Sequence, residues 1–173
     1  MLRQLKIKLV LTLAALALTA GLAAAQTPQV TLRSTDGSTF NLADHRGKVV
    51  VLSFGATWVP LANKELPALQ KLADRYAGRG AALYWVSTNS TKPGAKTYIS
   101  DAELESFARQ NGLRLPVLRD PDQTAYRALG LNALPTLVII DRDGHVHRKQ
   151  VGFDPEQAEP YGEVVRILDQ LLK

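Results

Sequence analysis

A chain of 173 residues that is 46% hydrophobic and 21% charged has ordinary globular composition and enough length for one domain with a real core. Its net charge of +5 is concentrated at the start, where residues 1–25 hold Arg3, Lys6 and Lys8 and no acid, leaving 18 bases against 16 acids elsewhere. That near balance, with no Lys/Arg run longer than two and no aromatics interleaved with bases, rules against nucleic acid as a partner. There is no cysteine, so disulfides, thiolate nucleophiles and cysteine metal sites are absent together.

The basic start is followed by a Leu/Ala-rich run from Leu9 to about Ala20 and by Ala23-Ala24-Ala25 before Gln26. This is the order of a secretory signal, expected to be cleaved after Ala25, with an uncleaved membrane anchor as the rival. Residues 26–173 then form the folded domain. Gln29–Leu32 alternates like a strand, Thr35-Asp36-Gly37-Ser38 supplies a turn, and Thr39–Leu42 returns, which predicts an N-terminal β-hairpin. Lys48–Phe54 is a continuous apolar run suited to a strand buried on both faces. The loop Gly55–Pro60 leads into a helix with Leu66, Leu69, Leu72, Ala73 and Tyr76 on one stripe, ending near Gly78 and Gly80. Ala82–Ser87 completes a βαβ unit.

Asn89–Ile99 is polar, has Pro93-Gly94 at its centre, and predicts an exposed loop. Ser100 and Glu103 form a capping box for a helix carrying Leu104, Phe107 and Ala108, with Gly112 at its end. An extended segment Leu115–Leu118 and a short helix Asp122–Leu129 closed by Gly130 follow. Thr136–Ile140 predicts a third buried strand, and Asp141–Gly144 a hairpin turn into His145–Val151. A last helix buries Val164, Val165, Leu168, Leu171 and Leu172, with Pro155 near its start. The expected class is α/β, one domain with a mixed central sheet.

The segment Val49–Pro67 resembles the active-site strand, loop and helix of exported TlpA/ResA-type reductases, within the wider redoxin (AhpC/TSA-like) group. Those proteins carry Ala-Thr-Trp-Cys-x-x-Cys followed by a Glu-x-Pro step; here Ala56-Thr57-Trp58 and Glu65-Leu66-Pro67 match. The hairpin, the polar insertion, Leu134-Pro135-Thr136 and the Asp-Arg-Asp-Gly turn fall in the family's order. The resemblance implies a thioredoxin-like fold across the whole mature chain. It also locates the departure: the attacking and resolving cysteine positions hold Val59 and Ala62. Exchange needs one thiolate to attack and a second thiol to release the mixed disulfide, so the family's mechanism is unavailable. Ser53 falls where thioredoxins carry a buried acid.

Nothing else in the sequence replaces the thiol. Ser53 and Thr57 have no histidine nearby in sequence to act as base, and read as packing and loop hydrogen-bonding groups. Lys64 and Glu65 read as solvated helix charges. His145 and His147 alternate on the predicted last strand but lack a third ligand, and His45 is distant, so no metal site or cofactor is expected. The resemblance implies that Pro135 is the family's cis-proline and that the backbone of Leu134 pairs with an extended peptide, which needs no thiol. Trp58, Val59, Pro60 and Leu61 would add an apolar tip. The expectation is a periplasmic or otherwise exported protein, redox-inactive, binding a segment of another envelope protein through Trp58–Leu61, Leu134 and Pro135. Contact with a membrane is expected only if the signal segment stays attached. The alternatives are an oxidoreductase using another group or a partner's thiol, and a structural subunit of an envelope assembly.

Overall fold

The computed structural model describes residues 28–173, so the expected signal segment and the expected cleavage after Ala25 lie outside the described residues. Seven strands form one mixed sheet: β1 (Thr31–Ser34), β2 (Thr39–Asn41), β3 (Val49–Gly55), β4 (Ala81–Ser87), β5 (Val117–Arg119), β6 (Thr136–Ile140) and β7 (Val146–Val151). Their order is β2-β1-β5-β4-β3-β6-β7, with β3, β4 and β5 parallel and the outer pairs antiparallel. Among the described residues, four α-helices accompany them: α1 (Ala62–Tyr76), α2 (Asp101–Gln110), α3 (Thr124–Ala128) and α4 (Gly162–Leu171).

All seven residues of β3 are buried, which accounts for an apolar run broken only by Ser53, as a two-sided strand requires. Its alternate side chains feed two cores. Val49 and Val51 pack with Leu66, Leu69, Leu104, Val164 and Leu168, so α1, α2 and α4 cover one face. Val50, Leu52 and Phe54 pack with Leu32, Phe40, Ala125 and Leu129, so the N-terminal hairpin and α3 cover the other. The architecture is the expected thioredoxin-like α/β fold.

The capping box of α2 forms as its sequence predicts: Ser100 Oγ accepts from the Glu103 N–H, and Glu103 Oε2 accepts from the Ser100 N–H at 2.9 Å. Other local expectations are corrected. Leu42 leaves β2 to open a short 3-10 turn through His45. Helix α4 begins at Gly162, seven residues after Pro155, because the segment between them forms an irregular wall instead of a first turn. His145 precedes β7, and a bulge opposite Ile139 and Ile140 disturbs the alternation that would align it with His147.

Candidate functional site

The parallel strands β3 and β4 end together, Gly55 opposite Ser87, and the loop that matches the redox motif leaves from that end. Gly55 is required there by packing. A Cβ at this position would lie 2.8 Å from Trp85 Nε1, inside the core. Beyond it the chain turns tightly, with the Val59 N–H donating to Ala56 O at 3.1 Å and the Ala62 N–H to Val59 O at 3.0 Å. Helix α1 then starts without a side-chain cap on its first turn.

The loop is held by a residue just beyond the end of β4, in the segment whose polar sequence predicts an exposed loop. Asn89 is 1% exposed. Its Oδ1 accepts from the Thr57 N–H at 2.9 Å and from Ser87 Oγ at 3.1 Å, while Nδ2 donates to Thr57 Oγ1 and Thr97 O. The segment after it is also ordered by a bridge between Ser90 and Tyr98. The signal was a single asparagine immediately after an apolar strand, which composition reads as the start of a polar loop. An Asn89→Ala variant is expected to lose about 2 kcal/mol of stability, since the Thr57 N–H and two hydroxyls lose their partner. Chemical denaturation would measure it, together with faster amide exchange at Thr57.

Side chains along the loop divide by exposure. Trp58 is 55% exposed, Pro60 is exposed and Leu61 is half-buried. Val59 and Ala62 are 7% and 3% exposed, so the apolar tip is Trp58 and Pro60, and Val59 mainly packs inward. Beneath them lies a second correction. Glu65 is not a solvated helix charge: it is 2% exposed, and its Oε1 accepts from Ser53 Oγ at 2.6 Å and from the Tyr161 hydroxyl at 3.4 Å. Burial pushes its pKa from 4.5 up to about 7, against the smaller opposing effect of the two hydrogen bonds. The Tyr161 hydroxyl is raised well above its ordinary range, first by burial and then by the neighbouring carboxylate. Lys64, next to Glu65 in sequence, is exposed.

The Leu134–Pro135 bond is cis. Thr136 pairs with Phe54 of β3 on one side and with Val151 of β7 on the other. That register sets the Leu134-Pro135 step beside the point where the chain leaves β3 for the Trp58 loop. It also adds Val151, 60% exposed, to the same end of the sheet. Pro135 is buried and its carbonyl accepts from the Gly152 N–H at 2.8 Å, whereas Leu134 is half-buried. Among the described residues, neither the N–H nor the carbonyl of Leu134 is hydrogen-bonded.

The histidines fall elsewhere. His45 contacts Asn41 O at 3.0 Å and the Tyr84 hydroxyl at 2.8 Å. His145 stands by Asp141 and Asp143, with one ligand atom of each within 4.8 Å of the others. Asp141 Oδ1 there accepts the backbone N–H groups of Asp143 and His145, so it already closes the hairpin turn.

With this geometry in view, the comparisons with known proteins agree. The AhpC/TSA family model matches residues 23–149. The thiol-disulfide oxidoreductase ResA of Bacillus thuringiensis (strain Al Hakam) is 30% identical over 137 residues, spanning 79% of this chain and 74% of the relative. The exposed lipoprotein thioredoxin of Streptococcus pneumoniae superposes with a TM-score of 0.65 at 27% identity, covering 83% of this chain and 99% of that one. A secreted Mycobacterium tuberculosis disulfide oxidoreductase matches in fold, with a TM-score of 0.65 at 22% identity over 84% of this chain and 98% of that one.

Proposed function

This chain belongs to the AhpC/TSA family, and from that premise we propose that it is an exported, redox-inactive member that binds an extended segment of another envelope protein. Its ancestry is that of thiol–disulfide oxidoreductases, but it has no cysteine. Export is supported by the signal-like start of the sequence and by relatives described as secreted and as an exposed lipoprotein.

The observation that carries the binding reading is the free backbone of Leu134, flanked by exposed Trp58 and Val151. A strand-like peptide lying across this end of the sheet gains main-chain hydrogen bonds from Leu134, and its side chains gain apolar contact on either side. An N–H and a carbonyl left over in a half-buried backbone stretch form the kind of edge that strand addition uses. Exposed tryptophan supplies the usual anchor of such contacts.

The test is crosslinking capture from envelope extract, comparing the wild-type protein with a folded Trp58→Ala, Leu134→Asp variant. A defined protein captured by the first and lost with the second is the expected result. Equal capture by both would remove the loop and the Leu134 step from the account, leaving a structural subunit as the better reading.

A further inference from the structure

A groove lies along α1, on the helix that the docking loop leads into. One wall is α1 and the other is the irregular segment between β7 and α4, enclosing about 530 Å³. That volume lies within the range of ligand-binding clefts, about 300–1,000 Å³. Its floor is apolar, formed by Pro67, Leu72, Phe153 and Tyr161. Its rim is basic. Lys64, Lys71 and Arg75 recur along α1 at spacings of seven and four, which places them on one stripe of the helix. The groove lining opposes these three cations with a single carboxylate, Glu159.

The cations are also poorly compensated within the chain. Arg75 reaches Asp169 only at 3.5 Å. Among the described residues, the side chains of Lys64 and Lys71 make no hydrogen bond or ion pair. The groove begins where the docking loop ends, Lys64 standing two residues after Ala62 and Phe153 two residues after Val151. From Lys64 to Arg75 the helix rises about 16 Å, the span of about five extended residues.

Taking the docking reading as its basis, we infer that the groove receives the continuation of the bound segment, and that this continuation is acidic with at least one apolar residue. The apolar residue packs on Phe153 and Tyr161, and Asp or Glu side chains meet Lys64 and Lys71. Charge complementarity of this kind selects among partners and speeds encounter, and it weakens as salt rises. It therefore distinguishes acidic envelope segments from neutral or basic ones that fit the Leu134 step equally well.

The test is selection of random dodecapeptides displayed against the purified protein at low salt. Enriched peptides are expected to carry Asp or Glu within about five residues of a large apolar residue. Their affinity should fall about tenfold in a Lys64→Gln, Lys71→Gln variant, and in the wild type on raising salt. Both lysines are exposed and their side chains make no hydrogen bond or ion pair, so this variant retains its structure. Trp58→Ala should weaken the same peptides. Enriched peptides without acidic bias, or indifferent to the lysine changes, overturn the groove while leaving docking at Trp58 and Leu134 standing. No enrichment at all overturns both. Octanoate raising the melting temperature while no peptide is enriched would assign the groove to a small amphipathic carboxylate and overturn the inference too.

Discussion

Replacing Val59 and Ala62 together by cysteine is expected to give a variant that reduces insulin at the expense of dithiothreitol, where the cysteine-free parent does not. The Ala62 N–H donates to Val59 O at 3.0 Å, so the two positions close a tight turn. A turn of this kind brings its end Cα atoms within about 7 Å, which overlaps the separation a disulfide needs. The first turn of α1 carries no side-chain cap, and the positive end of the helix dipole favours a thiolate there. On oxidation each thiol loses a proton and the pair gives two electrons to the oxidant as the S–S bond forms. Mass spectrometry should therefore find the double variant lighter by two hydrogen atoms. Val59→Cys alone should attack oxidised glutathione, release one glutathione thiolate and stay trapped as the mixed disulfide, since no second thiol releases it. A double variant that stays reduced under oxidant would mean that the loop has drifted from a redox geometry, not merely lost its sulfurs.

Substituting Glu65 by Gln is expected to abolish a fall in stability that the wild type shows as pH rises. The folded carboxyl has its pKa raised from 4.5 to about 7, first by burial. Between those values the native state holds a proton that the unfolded state has released, so unfolding becomes easier with rising pH. Below about 4.5 both states are protonated and the stability is fully present; above about 7 both are ionised and the loss levels off. A change from 4.5 to about 7 corresponds to about 3 kcal/mol. Glu65→Gln keeps a neutral group of nearly the same shape against Ser53 and Tyr161. Urea unfolding at pH 5 and pH 8 should show the variant close to wild type at the lower pH and more stable at the higher. Parallel curves for the two proteins would mean that Glu65 is solvated in its folded state.

The contrast between Glu65 and Leu66 shows what the sequence can disclose. Leu66 announced itself by helical spacing with Leu69, Leu72 and Tyr76, because burial of apolar side chains leaves a periodic trace. Glu65 sits one position before it and is equally buried, yet a carboxyl satisfied by Ser53, twelve residues away, and Tyr161, ninety-six away, leaves no local pattern. Asn89 escaped for the same reason, its partners being Thr57 and Thr97. Strand β3 was legible because both its faces are buried, and α2 because its capping box lies within four residues. Val151 joined the candidate surface only through its register with Thr136, a fact of sheet pairing.

Under the proposed docking, Asn89 bears on how quickly and how firmly the loop would engage a partner. By holding both the backbone and the hydroxyl of Thr57, it fixes the approach to Trp58 when the protein folds, before any partner arrives. Little loop disorder is then left to be lost on association, and the freedom surrendered is mainly that of the incoming segment. Encounter should behave as rigid docking, with one kinetic phase whose rate rises linearly with partner concentration and shows no plateau from a slow rearrangement. Loosening the tether would leave the contact residues unchanged and still weaken binding, because the lost order would have to be restored at every encounter.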